Sequence, residues 1–239
     1  MTLRKLHLYP DAPLKQVIPI SEVSVDNLKS DVKDLIDTLK YYEGNAFITS
    51  NHVGLSKRIA VIDLQAVYQK EFSETDRFLV MVNPEILELS KDKMELNESA
   101  ISTPDFTSLT TKSRSVKVKF DKIVLTTKPS ITTEDEPKME SVDNQTEVTS
   151  ETEVKVITNQ LDFDQFTFQT ETLTFWEGLA YITQAAVNQL DGKCYLDTIS
   201  WYNRERFIKK RRKMIKQFET WVKSNLMGAQ KHRKMKLAR

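Results

Sequence analysis

The side chains that most often hold metal ions in proteins are few in this chain and far apart in its sequence. It has one cysteine, Cys194, and three histidines, His7, His52 and His232. A zinc site usually draws on several Cys and His ligands, and two His on one helix are typically spaced four residues apart. No such pair is present, so the residue types alone argue against a zinc centre.

Two other sequence motifs of common catalytic sites are missing as well. The chain has only five glycines, and they are not clustered, which argues against a glycine-rich phosphate-binding loop. No Gly-x-Ser-x-Gly segment marks a serine nucleophile. A single cysteine cannot form an internal disulfide, so we expect a reducing compartment.

The hydrophobic pattern predicts helices and strands around one core, for which 239 residues are enough. Apolar residues at helical spacing predict a helix over 25–42 and another over 178–190 that ends at Gly192. Alternating or continuous apolar runs predict strands at 58–64, 77–89, 115–120 and 166–175. No apolar run reaches the roughly 18 residues that a membrane span needs.

Residues 128–158, between the last two predicted strands, are rich in Thr, Ser, Glu and Asp and poor in large apolar side chains. Such a segment buries too little surface to offset the entropy lost on ordering. We therefore expect a disordered acidic insertion in a β-hairpin. It is either an inert surface insertion or a segment that covers the basic C-terminus.

The C-terminal part of the chain is strongly basic. Residues 203–239 contain 14 Lys or Arg and two Glu, while the first 202 residues carry a net charge of about −11. We therefore divide the chain into a domain at 1–202 and a basic helix and tail at 203–239. A helix predicted over 203–223 has an apolar stripe of Phe207, Met214, Phe218, Trp221 and Val222. Its remaining basic face favours a polyanionic partner.

Four segments, in this order, match one known pattern: HVGLSKRIAVID (52–63), NPEIL (83–87), ESAISTP (98–104) and LAYITQAAVNQLDGKCYLDTIS (179–200). Together they resemble the motif regions of the peptide deformylase family, although no single motif is intact. The resemblance implies an α+β fold with mixed antiparallel sheets around a central helix. It also implies a metal-dependent hydrolase that removes the formyl group from N-formyl-methionyl peptides.

The positions that carry the family's chemistry hold different residues here. The resemblance places Ala100, Ala185 and Gln189 at the three metal ligands, which in the family hold Fe, Ni or Zn. It places Ala186 at the general acid/base Glu and His52 at the Gln that stabilises the oxyanion. Alanine has no donor atom, and a glutamine amide oxygen is a poor ligand for these metals. We therefore expect no cofactor and no deformylase activity.

The resemblance also suggests two binding surfaces. Ile48, Ile101 and Ile182 are candidates to line an apolar cleft for the N-terminal methionine of a nascent peptide. Bacterial family members dock on the ribosome through a similarly charged C-terminal helix. That likeness implies a contact with ribosomal RNA or a ribosomal protein for eight basic residues, which are Arg204, Arg206, Lys209, Lys210, Arg211, Arg212, Lys213 and Lys216.

Our leading prediction is a catalytically inactive deformylase-like protein that associates with ribosomes or nascent chains. Two alternatives stay open, an active deformylase with unrecognised ligands and a structural component of a ribosome. We expect a monomer without membrane contact. The first residues lack the apolar core of a secretory signal, so we expect a cytoplasmic protein, or else one of a mitochondrial or plastid matrix.

Overall fold

The computed structural model describes residues 3–22, 25–104, 106–132, 156–217 and 220. The helices are α1 (Val25–Tyr41), α2 (Ser50–Val53), α3 (Leu64–Tyr68), α4 (Glu177–Leu190) and α5 (201–217). The strands are β1 (Phe47–Thr49), β2 (Ile59–Asp63), β3 (Phe78–Leu89), β4 (Lys93–Glu98), β5 (Ser108–Ser113), β6 (Ser115–Thr132) and β7 (Val156–Trp176). Two short 3₁₀ turns lie at Ala12–Lys15 and Tyr195–Asp197.

The strands form one antiparallel five-stranded sheet, in the order β1-β2-β3-β6-β7, and a separate β4–β5 hairpin. Helices α1 and α4 and the strands β2, β3, β6 and β7 confirm the elements predicted from the hydrophobic pattern. Strands β1, β4 and β5 were not predicted. Strand β1 has only three residues, and the hairpin strands are largely polar, so neither gives a periodic apolar signal.

A helix packs on each face of the sheet. Alternate residues of β2 point to opposite faces, so Ile59 and Val61 pack towards α1 while Ala60 and Ile62 pack towards α4. Because both faces are covered, β2 is buried along its whole length. This three-layer arrangement packs α4 against the sheet and so sets which of its side chains face the interior.

A third apolar cluster joins the segment around Tyr9 and the start of α5 to the rest of the molecule. Tyr9, Ala100, Tyr195 and Phe207 are buried members of this cluster. Phe207 anchors α5, because its ring lies 6.2 Å from that of Tyr9 and 4.9 Å from that of Phe106. The start of α5 is therefore fixed beside Ala100.

Strand β3 continues through a proline because a bulge accommodates it. The pairing of β3 with β6 shifts register between Val82 and Glu85, and the residue before Pro84, Asn83, has a φ of 52°. A proline cannot donate a ladder hydrogen bond, so it is tolerated at such a bulge. The carbonyl of Pro84 instead accepts a hydrogen bond of 3.0 Å from Arg58 Nε.

The long β6–β7 hairpin extends into both ends of the predicted acidic insertion, since Thr132 pairs with Val156. Disorder stays a prediction for 133–155, which lie outside the described residues. Of the predicted stripe on the C-terminal helix, Phe218, Trp221 and Val222 also lie outside them. Within the described ranges, none of the helices has the length and apolar content to cross a bilayer.

Candidate functional site

The fold brings together the three positions matched to the family's metal ligands. Ala100, Ala185 and Gln189 line one cavity of about 110 Å³, which we call the alanine cavity. Ala100 follows the end of β4, and the other two lie about one turn apart on α4. All three are buried. Three residues that are distant in sequence therefore lie together in the fold.

The donor atoms at these positions do not fit Fe, Ni or Zn. Both alanines end at Cβ, and the Nε2 of Gln189 donates a hydrogen bond of 2.9 Å to the carbonyl oxygen of Leu14. That bond ties the side chain to the N-terminal segment. Among the residues that the structure describes, no group of three or more His, Cys, Asp or Glu could hold a metal ion.

An ion pair that sequence reasoning missed lies in the wall of the alanine cavity. Lys112 of β5 contacts Glu98 of β4 through Nζ and Oε2, and their side chains are only 10% and 5% exposed. Thr110 and Tyr181 donate hydrogen bonds of 2.6 and 3.2 Å to the same carboxylate oxygen. The Nζ also lies 4.3 Å from the centroid of the Tyr181 ring. A lysine side chain therefore supplies the positive charge in the wall of this cavity.

Two opposing influences act on the charge of Lys112. Burial lowers the pKa of Lys112, and the negative charge of Glu98 opposes that shift. The Nζ of Lys112 is already engaged by Glu98 and the Tyr181 ring, so it adds no free base or nucleophile to the cavity.

Cys194 also lines the alanine cavity, yet its thiol is not activated. Burial raises the pKa of Cys194 to about 12, so the thiol is protonated at neutral pH. Thiolates are the nucleophiles and metal ligands, whereas neutral buried thiols behave as small apolar groups. Asp191, at the end of α4, forms an ion pair with Arg58 at 2.8 Å and so supplies no free carboxylate either.

The other two positions matched to catalytic residues lie in the core. Ala186 is fully buried, and neither it nor His52 lines the alanine cavity. The backbone N–H of Thr49 donates a hydrogen bond of 3.0 Å to His52 Nδ1, while Nε2 has no partner. Burial lowers the pKa of His52 to about 3, so its imidazole is neutral. It is a core histidine in the capping turn of α2.

A second cavity of about 220 Å³ adjoins the first, with which it shares Phe47, Glu98 and Ala100. Ile101 and Ile182 line it, and we call it the isoleucine cavity. Ile48, the third residue predicted for a peptide cleft, does not line it. Its side chain belongs to the core beneath α1, because it points to the opposite face of the sheet from its neighbour Phe47.

Comparison with known proteins identifies the family. Residues 3–135, more than half of the chain, match the polypeptide deformylase family model. The chain belongs to the polypeptide deformylase family. The matched range includes His52 and Ala100, and it ends before α4.

Relatives extend the likeness over the rest of this deformylase-family chain. A peptide deformylase-like protein of Agrobacterium fabrum is 32% identical over 123 residues, which are 52% of this chain and 69% of that protein. One from Brucella melitensis is 24% identical over 214 residues, 90% of this chain and 99% of its own length. The crystal structure of a peptide deformylase from Legionella pneumophila superposes with a TM-score of 0.64 at 19% identity, and covers 91% of this chain and 98% of its own. The fold is therefore that of the family.

Helix α5 of this deformylase-family chain presents a regular row of cations. Five of the predicted residues follow helical spacing of three and four and lie on one face, and all five are exposed. These residues, which we call the basic stripe, are Arg206, Lys209, Lys210, Lys213 and Lys216. The buried anchor Phe207 lies on another face of the helix, so the stripe points away from the body.

The three remaining basic residues of α5 differ from the stripe in exposure. Arg212 is exposed, next to the stripe. Arg204 is partly exposed and lies 3.8 Å from Asp197, and Arg211 donates a hydrogen bond to the carbonyl of Tyr9. Arg204 and Arg211 therefore help to hold α5 on the body, and six of the eight predicted residues face solvent.

Proposed function

We propose that this chain is a member of the deformylase family without hydrolase activity, and that it associates with ribosomes through the basic stripe. The observation that carries the first half is the composition of the alanine cavity. Its three matched positions offer one amide that is already hydrogen bonded, and its only described cations are lysine side chains.

The proposal follows from what formamide hydrolysis demands. A bound metal lowers the pKa of its water to about 7 and so supplies hydroxide at neutral pH. A lysine side chain such as Lys112 has no open coordination position and cannot bind hydroxide in this way. The loss of a general acid/base, at Ala186, costs a further factor of roughly 10² to 10⁴.

Metal content and activity, measured on the same sample, test the first half of the proposal. The full-length protein is purified, incubated with Fe(II), Ni(II) or Zn(II), and desalted before analysis. We expect less than stoichiometric metal and no formate release from an N-formyl-methionyl peptide above the buffer rate. One equivalent of metal together with turnover would refute this half, and turnover without metal would identify an active enzyme with other catalytic groups.

The second half rests on the spacing and exposure of the basic stripe. Each lysine or arginine that neutralises a phosphate releases counterions, so affinity for RNA falls steeply with salt. The stripe is free of the packing role that occupies Phe207, Arg204 and Arg211. Six solvent-facing cations on α5 are enough for several phosphate contacts.

Ribosome cosedimentation at increasing salt tests this second half. We expect the wild-type protein to be released as salt rises, and the variant Lys209→Glu/Lys213→Glu to be released at much lower salt. The matched control is Lys70→Glu/Lys91→Glu, which makes the same change in charge at exposed sites outside α5. Equal loss in both variants would mean a non-specific charge effect. Retention of the stripe variant at high salt would instead favour a structural component of the ribosome.

A further inference from the structure

Two neighbouring aromatic side chains at the start of α5 are left largely to solvent. Trp201 and Tyr202 are 67% and 65% exposed. Ser200 caps the helix, because its Oγ accepts a hydrogen bond of 3.3 Å from the N–H of Asn203, and its carbonyl accepts one of 3.1 Å from the N–H of Arg204. The two rings therefore stand on the first turn of a helix whose start is fixed, and we call them the aromatic pair.

The aromatic pair continues the basic stripe. Tyr202 lies four residues before Arg206 and seven before Lys209, so its side chain falls on the same face of α5. Trp201 borders that face, eight residues before Lys209. Side chains of a helix lean towards its N-terminus, so both rings extend the stripe beyond the first turn.

The surface that adjoins the aromatic pair is cationic. Among the described residues of α5, Glu205 is the one carboxylate, against eight lysines and arginines. From Arg206 to Lys216, successive levels of the stripe are three or four residues apart, which spaces them by about 4.5 to 6 Å along the helix axis. A polyanion laid along the helix can therefore contact one cation after another and then reach the two rings.

We propose that α5 binds an unpaired segment of RNA, whose phosphates lie on the basic stripe and whose bases stack on the aromatic pair. Every base has a π-face, so stacking on Trp or Tyr needs no particular sequence. In a duplex the bases already stack on one another, and side chains cannot read the deep, narrow major groove of A-form RNA. The inference rests on the proposed function in one respect, that the basic stripe contacts RNA of the ribosome, and it adds which form of RNA is bound.

The arrangement favours RNA over the surface of an anionic membrane. A helix that lies on a membrane separates its apolar face from its basic face. Here Tyr202 lies within the basic face, and Phe207 is buried against Tyr9 and Phe106 and so cannot enter lipid. Aromatic rings and cations together on one face are instead typical of surfaces that bind single-stranded nucleic acid.

Fluorescence anisotropy with labelled RNA and the full-length protein tests the inference. The probes are a twelve-nucleotide strand without internal pairing, the same strand annealed to its complement, and an abasic strand of equal length. We expect the single strand to bind about ten-fold more tightly than either of the others, because only it offers free bases. Trp201→Ala/Tyr202→Ala should weaken the single strand about ten-fold and leave the other two probes unchanged.

Matched variants make the result specific. Trp176→Ala truncates a ring that is 63% exposed and lies outside α5, so it should change no affinity. Trp201→Phe/Tyr202→Phe keeps both rings, so its affinity for the single strand should stay within about two-fold of the wild type. Lys209→Glu/Lys213→Glu should weaken all three probes, since it removes phosphate contacts.

Equal affinity for the single strand and the duplex, or an unchanged single-strand affinity in the alanine variant, overturns the inference. Circular dichroism reports whether that variant keeps its helices, and Trp201→Ala alone repeats the test if it does not. If the aromatic pair is needed for binding to vesicles of phosphatidylcholine and phosphatidylserine but not for binding the single strand, the surface belongs to a membrane and the inference is wrong. Cosedimentation of the stripe variant with ribosomes reports failure of the proposed function separately.

Discussion

The alanine cavity and the basic stripe treat positive charge in opposite ways. In the cavity, Lys112 is buried, and its Nζ contacts Glu98, the hydroxyl oxygen of Thr110 and the ring of Tyr181. On α5 the cations of the stripe face solvent. A buried charge is tolerable only when it is paired, whereas an exposed charge costs the fold little. The buried charge of the alanine cavity is therefore paired within the fold and contributes to stability. The exposed charges of the basic stripe can instead contact a partner.

The largest expected effect comes from breaking the buried pair. Glu98→Gln removes the negative partner while Lys112 stays buried, so we expect a loss of about 3–5 kcal/mol in the free energy of unfolding. Urea denaturation at pH 7 measures it. The double variant Glu98→Gln/Lys112→Met should recover most of the loss, because replacing both charges is often neutral or stabilising. If the double variant were as unstable as the single one, the pair would not be what holds this charge in place.

Phe207→Ala should have the next largest effect, because it cuts the anchor of α5. Truncating a buried phenylalanine costs about 3–5 kcal/mol when the core does not collapse, and less when the helix simply detaches. We expect about 3 kcal/mol or less in global stability, together with faster proteolysis of α5. Met214→Ala, at an exposed position of the same helix, is the matched control and should change stability by under about 0.5 kcal/mol. Similar effects in both variants would contradict the anchoring role.

The buried histidine His52 should make the stability of the protein depend on pH. His52 has a pKa of about 3 in the folded protein, below the value of about 6.5 expected when it is unfolded. The unfolded state therefore binds the extra proton first, and stability falls as the pH drops below about 6.5 towards 3. Between pH 7 and pH 5 we expect His52 to account for about 2 kcal/mol of lost stability.

Urea denaturation of the wild type and of His52→Gln at both pH values measures this term. Glutamine keeps an acceptor for the Thr49 N–H but does not titrate, so the variant should lose about 2 kcal/mol less between pH 7 and pH 5. Parallel losses in the two proteins would mean that His52 is not neutral and buried in the folded state.

The sequence alone predicted the features that neighbouring residues determine, and not those that depend on residues distant in the chain. The periodicity of α4 and β2 is local, so both elements were found without any structure. The convergence of Ala100, Ala185 and Gln189 is not local, and only the family resemblance predicted it. Lys112 was missed because it lies in a polar strand, SLTTKS, where nothing in the local pattern distinguishes a buried lysine from an exposed one.

Ile48 and Ile182 show that the local sequence also does not determine which way a single side chain points. Both were predicted to line the cleft, but only Ile182 does so. In a strand, the face that a residue occupies depends on register, and β1 is too short for its register to be inferred from alternation. The pairing of Ile48 with Val61 sets that register, and it turns the side chain towards α1.

The smallest effect belongs to a single residue of the basic stripe, and it concerns binding rather than folding. Lys213→Gln removes one exposed charge, so we expect the free energy of unfolding to change by less than about 0.5 kcal/mol. If Lys213 contacts a phosphate in the proposed ribosome complex, the slope of log affinity against log salt should decrease by about 1. Cosedimentation over a range of salt concentrations gives that slope, and Lys70→Gln should leave it unchanged. A change in the free energy of unfolding without a change in the salt slope would mean that Lys213, like Lys112, serves the fold rather than a partner. The contrast drawn here between the alanine cavity and the basic stripe would then be wrong.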